Sequence, residues 1–208
     1  MTPQDPSESQ VAEYGEDLNR PERFTQEVLG WKPWLAPIPE AELTETDREA
    51  LGSDFRVKSP YFRLLVRNPE ALQARTLTDQ DIFSNTDGGL PRADREIAAS
   101  AASRLNGCVY CASVHTRRAT QESGRKEDVQ KLLDHGVEAE LGQPWSAITE
   151  AAAALTSTPS QFGTEQIRAL REAGLEDTDI VDAINGAAFF NWANRLMLAL
   201  GEPEVRTP

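Results

Sequence analysis

Cys108, Cys111, His115 and Glu96 are the residues whose types and spacing suit chemistry, and they fall in one short segment, Glu96-IAASAASRLNG-Cys108-VY-Cys111-ASV-His115. Asn106-Gly107 reads as a helix stop, because glycine readily takes the left-handed conformation that ends helices. The cysteines then fall on the first turn of the next helix, with Cys108 at or near its N-cap. Backbone N–H groups there lack intrahelical partners and the helix dipole favours negative charge, so a thiolate is stabilised. Thiol pKa values at such positions drop from ~8.5 into roughly the 3.5–7.5 range. Positions i, i+3 and i+7 share a helical face, which puts Cys108, Cys111 and His115 on one stripe. Two cysteines at i and i+3 meet disulfide geometry with modest adjustment. His115 can take or give a proton near neutral pH. The preceding helix packs back across a tight turn with a small-residue face (Ala99, Ser100, Ser103), which brings Glu96 within reach of the same site. The expected chemistry is a redox-active dithiol flanked by an acid and an imidazole.

Plainer readings of the same residues stay open at this stage. The two cysteines fit an inert buried pair. They also fit half of a zinc site, which would need His115 and Glu96 to complete its four ligands. His115 alone suits a structural histidine, and Glu96 suits an exposed ion pair with Arg92 one turn earlier. His135 reads as a favourable charge at a helix C-terminus. Tyr110, Asn106 and Arg195 suit structural roles, and Trp145 and Trp192 read as core. The competing function classes are therefore a thiol oxidoreductase, a metal-binding module, and a non-catalytic interaction protein docking through Trp31 and Trp34. The oxidoreductase reading calls for no cofactor and no metal.

The elements that must position these groups read as all-α. Thr44 or Thr46 caps a helix to about Ser53, and Asn68 caps 69–84 with Leu72, Thr76, Gln80 and Phe83 near one stripe. Pro91 opens a helix to Asn106, Cys108 starts one ending near Ser123-Gly124, and another covers 126–134. Pro144 opens a helix through Thr156, Thr164 caps 165–173, and Asp177 or Thr178 caps a long last helix to Leu200. In that last helix Val181, Ile184, Ala188, Trp192, Leu196 and Leu200 recur at spacings of three and four, which predicts a central, mostly buried helix. Residues 22–30 read as a short helix. Residues 31–40 (WKPWLAPIPE) hold three prolines and read as an extended arm whose tryptophans pack on the chain's own core or on a neighbouring subunit. Residues 1–21 read as a polar tail. The expected organisation is a tail and Pro/Trp-rich arm over 1–40 and a helical domain over 41–208.

The chain has 208 residues, with 21 Lys plus Arg against 34 Asp plus Glu, a net charge of −13. That balance argues against nucleic acid and anionic membrane surfaces, which need concentrated positive charge. The uncharged run Ala183–Asn194 is 12 residues, short of the ~20 apolar residues of a membrane span. The N-terminus shows no basic segment followed by an apolar one, so a reducing, cytoplasmic setting is expected.

Glu, eleven residues, C-x-x-C, three residues, His resembles the motif of the carboxymuconolactone decarboxylase-like superfamily. The segment NGCVYCASVH is similar to the form found in the peroxidase-related members of its alkyl hydroperoxidase D (AhpD) branch. So are LREAGLEDTDIVDAINGAAFFNWANRLMLALGEPE and SPYFRLLVRNPEALQAR, and the resemblance spans roughly 59–205. It implies an AhpD-like helical bundle in a homo-oligomer (dimer, trimer or hexamer) and a thiol-dependent peroxidase. By that resemblance Cys111 is peroxidatic, Cys108 resolving, and Glu96 with His115 the proton relay. The partners it implies are a peroxide substrate and an external thiol or dithiol reductant protein. AhpD carries a further histidine just before the second cysteine, where this chain has Tyr110. The decarboxylases lack the cysteine pair.

Overall fold

The computed structural model describes residues 11–12, 18–85 and 87–206. Most of the expected tail, including Pro3 and Pro6, lies outside the described residues. The fold is all-α apart from a short two-stranded ribbon: β1 (Leu29–Pro33), α1 (Glu45–Leu51), α2 (Asp54–Lys58), α3 (Pro60–Leu65), α4 (Pro69–Ser84), α5 (Arg92–Leu105), α6 (Val109–Ser123), α7 (Lys126–His135), α8 (Trp145–Thr156), α9 (Thr164–Glu172), α10 (Asp177–Leu200) and β2 (Gly201–Val205).

Local signals set most boundaries. The Asn68 side chain accepts a hydrogen bond from Ala71 N–H at 3.1 Å and Pro69 follows at the first helical position, so α4 starts where a free N–H is not needed. Thr44 and Asp47 form a reciprocal capping box on α1. The N-cap of α10 is Glu176, whose N–H donates to Asp179 at 2.9 Å, rather than Asp177 or Thr178.

The structural centre is α5, which packs against α4, α6, α8 and α10. Ala93 and every residue from Arg95 to Ser103 are buried. A helix buried all round must be nearly free of bulk, and alanine and serine meet that need. Its serine hydroxyls are satisfied by carbonyls one turn back, Ser100 to Glu96 and Ser103 to Ala99, each at 2.7 Å. The fit against α10 is tight at Gly186, where an added Cβ would stand 3.3 Å from the Arg95 carbonyl oxygen. The buried Arg95 side chain ties the α4–α5 connection to α5, donating to the carbonyls of Ile82, Asn85, Gly88 and Leu90 and pairing with Asp182 at 3.1 Å. Gly89 (φ 73°) is required there, because a Cβ would collide with the Asp182 carboxylate.

Three expectations are corrected: the helix over 22–30, the burial of Gln80, and the buried face of α10. Residues 22–30 form no helix, and their end is strand β1. β1 pairs antiparallel with β2, with Trp31 opposite Pro203, so Trp31 packs on this chain's own core, edge-on to Tyr61 at 5.4 Å. Gln80 of the α4 stripe is exposed, and two short helices, α2 and α3, fill the stretch before α4. The stripe expected to bury α10 faces outward: Val181 is 54% and Trp192 47% exposed, whereas Ile180, Ala183, Gly186, Ala187, Phe190, Ala193, Asn194 and Met197 are buried. At its closest approach to α5 the inner face holds Gly186, because α5 leaves little room there for a side chain. Trp145 is core as expected, its indole N–H donating to Asp94 at 2.6 Å.

Candidate functional site

Gly107 (φ 75°) turns the chain between α5 and α6 in a left-handed conformation, and Cys108 N–H closes back on the Ser103 carbonyl at 3.0 Å. Cys108 is the N-cap of α6, and Cys111 and His115 follow on its first two turns. Both cysteines are unpaired thiols and both are buried. Cys108 is only 1% exposed and Cys111 5%. The ribbon and the end of α10 cover the helix tip.

The two sulfurs face different spaces. Cys111 lines a cavity of about 450 Å³ together with His115, Glu96, Arg92, Phe83 and Phe190. Cys108 lines a smaller space of about 170 Å³ on the ribbon side, with Trp31, Tyr110, Met197 and Pro203 around it. Among the described residues no three Cys, His, Asp or Glu side chains converge as metal ligands.

Glu96 joins the two readings that sequence left open. One carboxylate oxygen accepts from Arg92 Nε at 2.6 Å, and the other meets His115 Nδ1 at 2.5 Å. Glu96 is 1% exposed, so this is a buried triad, not a surface pair. Burial works to raise the Glu96 pKa, but the imidazole and the Arg92 guanidinium outweigh it and hold the carboxyl below its ordinary value. The imidazole is clamped by Phe190, whose centroid is 3.8 Å away, and by Phe83 at 5.4 Å.

The sulfurs are coupled. Cys108 is lowered, first by side-chain and backbone hydrogen bonds from Cys111 and then by one from Asn194, against the opposing effect of burial. Cys111 is raised well above the usual thiol value by the same side-chain bond, by burial and by the charge on Cys108. Negative charge in the pair is therefore favoured on Cys108 over Cys111. Asn194, fully buried on α10, is held in place by donating to Ser103 at 3.0 Å and accepting from Asn106 at 3.1 Å. Sequence reasoning missed it. A polar residue inside the apolar inner face of a buried helix was the available signal. Asn106, expected to be structural, supports Asn194. Tyr110 lines both spaces, and burial raises its pKa. His135 ends α7 and Arg195 lies on the exposed face of α10, so neither joins the site.

With this geometry in view, comparison with known proteins is informative. Residues 69–157 match the carboxymuconolactone decarboxylase family. An AhpD-core crystal structure, an uncharacterized peroxidase-related protein from Ralstonia eutropha JMP134, superposes with TM-score 0.66 at 22% identity, over 84% of this chain and 90% of that one. A peroxidase-related protein from Silicibacter sp. TM1040 gives 0.61 at 28% identity, over 77% and 82%. The debrominase Bmp8 gives 0.63 at 16% identity, over 79% and 88%. No curated protein matches the chain. The fold is thus AhpD-like, and residues 69–157 carry the likeness to the carboxymuconolactone decarboxylase family. Among the described residues no helix is long and apolar enough to cross a membrane.

Proposed function

We propose that the protein is a thiol-dependent peroxidase that reduces organic hydroperoxides with its Cys108–Cys111 pair. The observation that carries this reading is the convergence of Cys111, His115 and Glu96 on one cavity, with the imidazole held to the carboxylate at 2.5 Å. Cys111 is the peroxide-reacting sulfur because it faces the larger space, and Cys108 is the resolving sulfur behind it.

The steps balance as follows. One proton leaves the dithiol for the His115–Glu96 relay, and the other is shared between the sulfurs. As Cys111 attacks the distal oxygen of ROOH, its proton passes across the shared hydrogen bond to Cys108. The S–O bond forms, the O–O bond breaks, and the relay returns its proton to the departing alkoxide as ROH. Cys108 then condenses with the Cys111 sulfenic acid, giving the disulfide and water. An external dithiol reduces that disulfide by exchange through Cys108, reached from the ribbon-side space. Such chemistry suits a reducing, cytoplasmic setting. Homo-oligomer formation, an expectation carried by the family resemblance, stands as part of the proposal.

The test is peroxide consumption with a dithiol reductant by wild type and Cys111→Ser. Wild type should turn over, and the variant should lose at least a hundredfold in rate. Equal rates would reject the assignment.

A further inference from the structure

The cavity that reaches Cys111 has a wall the peroxidase chemistry does not use. Five arginines line it (Arg56, Arg75, Arg92, Arg117 and Arg118) against only two carboxylates, Asp79 and Glu96. This concentration of positive charge stands in a chain whose net charge is −13. Three of the five are otherwise engaged: Arg92 with Glu96, Arg118 with Glu122 at 3.6 Å, and Arg56 with the Leu51 carbonyl at 3.1 Å.

Arg75 is different. Its side chain is 8% exposed, and neither Nε nor Nη1 has a hydrogen-bond acceptor. Arg75 is ion-paired with Asp79 at 3.4 Å, as Arg118 is with Glu122, but that approach does not make a hydrogen bond to Nη1. The guanidinium is held between rings, 5.4 Å from the Phe62 centroid and 5.3 Å from that of Phe189. In the lining of the same cavity, the buried hydroxyl of Tyr61 and Nη1 of Arg117 also lack hydrogen-bond partners among the described residues. Buried donors are almost always satisfied, so several unmet ones on one cavity mark the place of an acceptor that arrives with a ligand. The remaining lining is largely aromatic and apolar, with Phe55, Phe83, Phe190 and Met197. An apolar body with one anionic end complements both parts, and a planar carboxylate matches the fork geometry of a guanidinium.

We propose that this wall is an anion subsite that takes the carboxylate of an apolar substrate, with Arg75 as its main ligand and Tyr61 and Arg117 beside it. Applied to turnover, and resting there on the peroxidase reading, the preferred substrates are hydroperoxides that carry a carboxylate away from the O–O bond. Binding of the carboxylate itself does not depend on that reading.

Calorimetric titration of the full chain with a redox-inert pair, 4-isopropylbenzoate and 4-isopropylbenzamide, tests the subsite. Wild type should bind the benzoate at least tenfold more tightly than the amide. Arg75→Gln should weaken benzoate binding at least tenfold and amide binding less than threefold. Tyr61→Phe, which removes a single oxygen, should weaken benzoate alone by about threefold, and it decides the matter if the Arg75 variant does not fold. Equal affinity of wild type for the two probes, no binding of either, or benzoate binding indifferent to Arg75→Gln and Tyr61→Phe would overturn the proposal. The peroxide assay on Cys111→Ser judges the peroxidase reading separately, so either idea can fail without the other.

Discussion

Glu96→Gln tests the buried triad without emptying the space the side chain fills. The glutamine keeps one carbonyl acceptor and presents an NH₂ group where the second carboxylate oxygen stood. Arg92 Nε or His115 Nδ1 then faces a donor instead of an acceptor. What is lost is a charge-assisted hydrogen bond at a site 1% exposed. Bonds of that kind contribute ~1.5–3 kcal/mol. Arg92 is one-third exposed, so water re-solvates it and its share is discounted toward surface-pair values. The expected cost at neutral pH is about 2–3 kcal/mol. With a urea m-value of about 3 kcal/mol/M, this lowers the denaturation midpoint by roughly 1 M. The pH dependence has a definite sign. The folded carboxyl titrates below its unfolded value of ~4.3, so its stabilisation is present above that value and is lost as pH falls through the folded pKa. Urea curves followed by circular dichroism should show the largest gap between wild type and variant at pH 7, narrowing as pH is lowered toward 3. A gap that stays constant with pH, or no gap at pH 7, would refute the role assigned to the Glu96 charge. On the peroxidase reading, kcat/KM for hydroperoxide also falls by about 10²-fold, the scale of a lost acid–base group.

Two further outcomes are expected. Asn194→Ala removes a hydrogen bond that lowers both thiols, and one such bond of ~1.4 kcal/mol is about tenfold in thiolate population; alkylation of the native protein by iodoacetamide at pH 7 should slow by about that factor, and an unchanged rate would remove Asn194 from the site. Gly201→Ala would put a Cβ 2.3 Å from the Lys32 carbonyl oxygen and 2.4 Å from the Trp31 indole; neither neighbour can yield while β1 and β2 stay paired, so calorimetry should show Tm lower by roughly 5–10 °C, the equivalent of ~2–3 kcal/mol.

The parts of the fold that were legible in the sequence are those with local punctuation. Asn68-Pro69, Pro91, Asn106-Gly107 and Pro144 each mark a helix end through backbone chemistry that operates within a few residues, and α4 to α8 fall where those marks place them. The ribbon was not legible, because its stability is non-local. β1 and β2 lie near opposite ends of the chain, and each carries a proline that argues against a strand when read alone. The orientation of α10 was lost for a different reason. Its apolar residues surround the helix, so periodicity cannot choose a face, and the choice was made by how closely α5 approaches Gly186. At the site, four residues could be found from spacing within one segment. Tyr61, Arg75 and Asn194 come from three other helices, and only packing brings them to the cavity and the sulfurs.

The two readings of Glu96 that sequence set against each other are both present, and their coexistence has a chemical consequence. Arg92 occupies one carboxylate oxygen and helps keep the group ionised, so the oxygen facing His115 can only accept. The imidazole must then present its Nδ1–H to Glu96, and Nε2 is left as the nitrogen free to exchange a proton. Phe190 and Phe83 fix the ring plane, so that free nitrogen keeps one direction in a ring that lines the Cys111 cavity. The ion pair that looked like a plain structural feature is thus what gives the histidine a single tautomer and a single orientation. The alanines and serines of α5 let its neighbours pack closely enough for a charged carboxylate to sit this deep between helices.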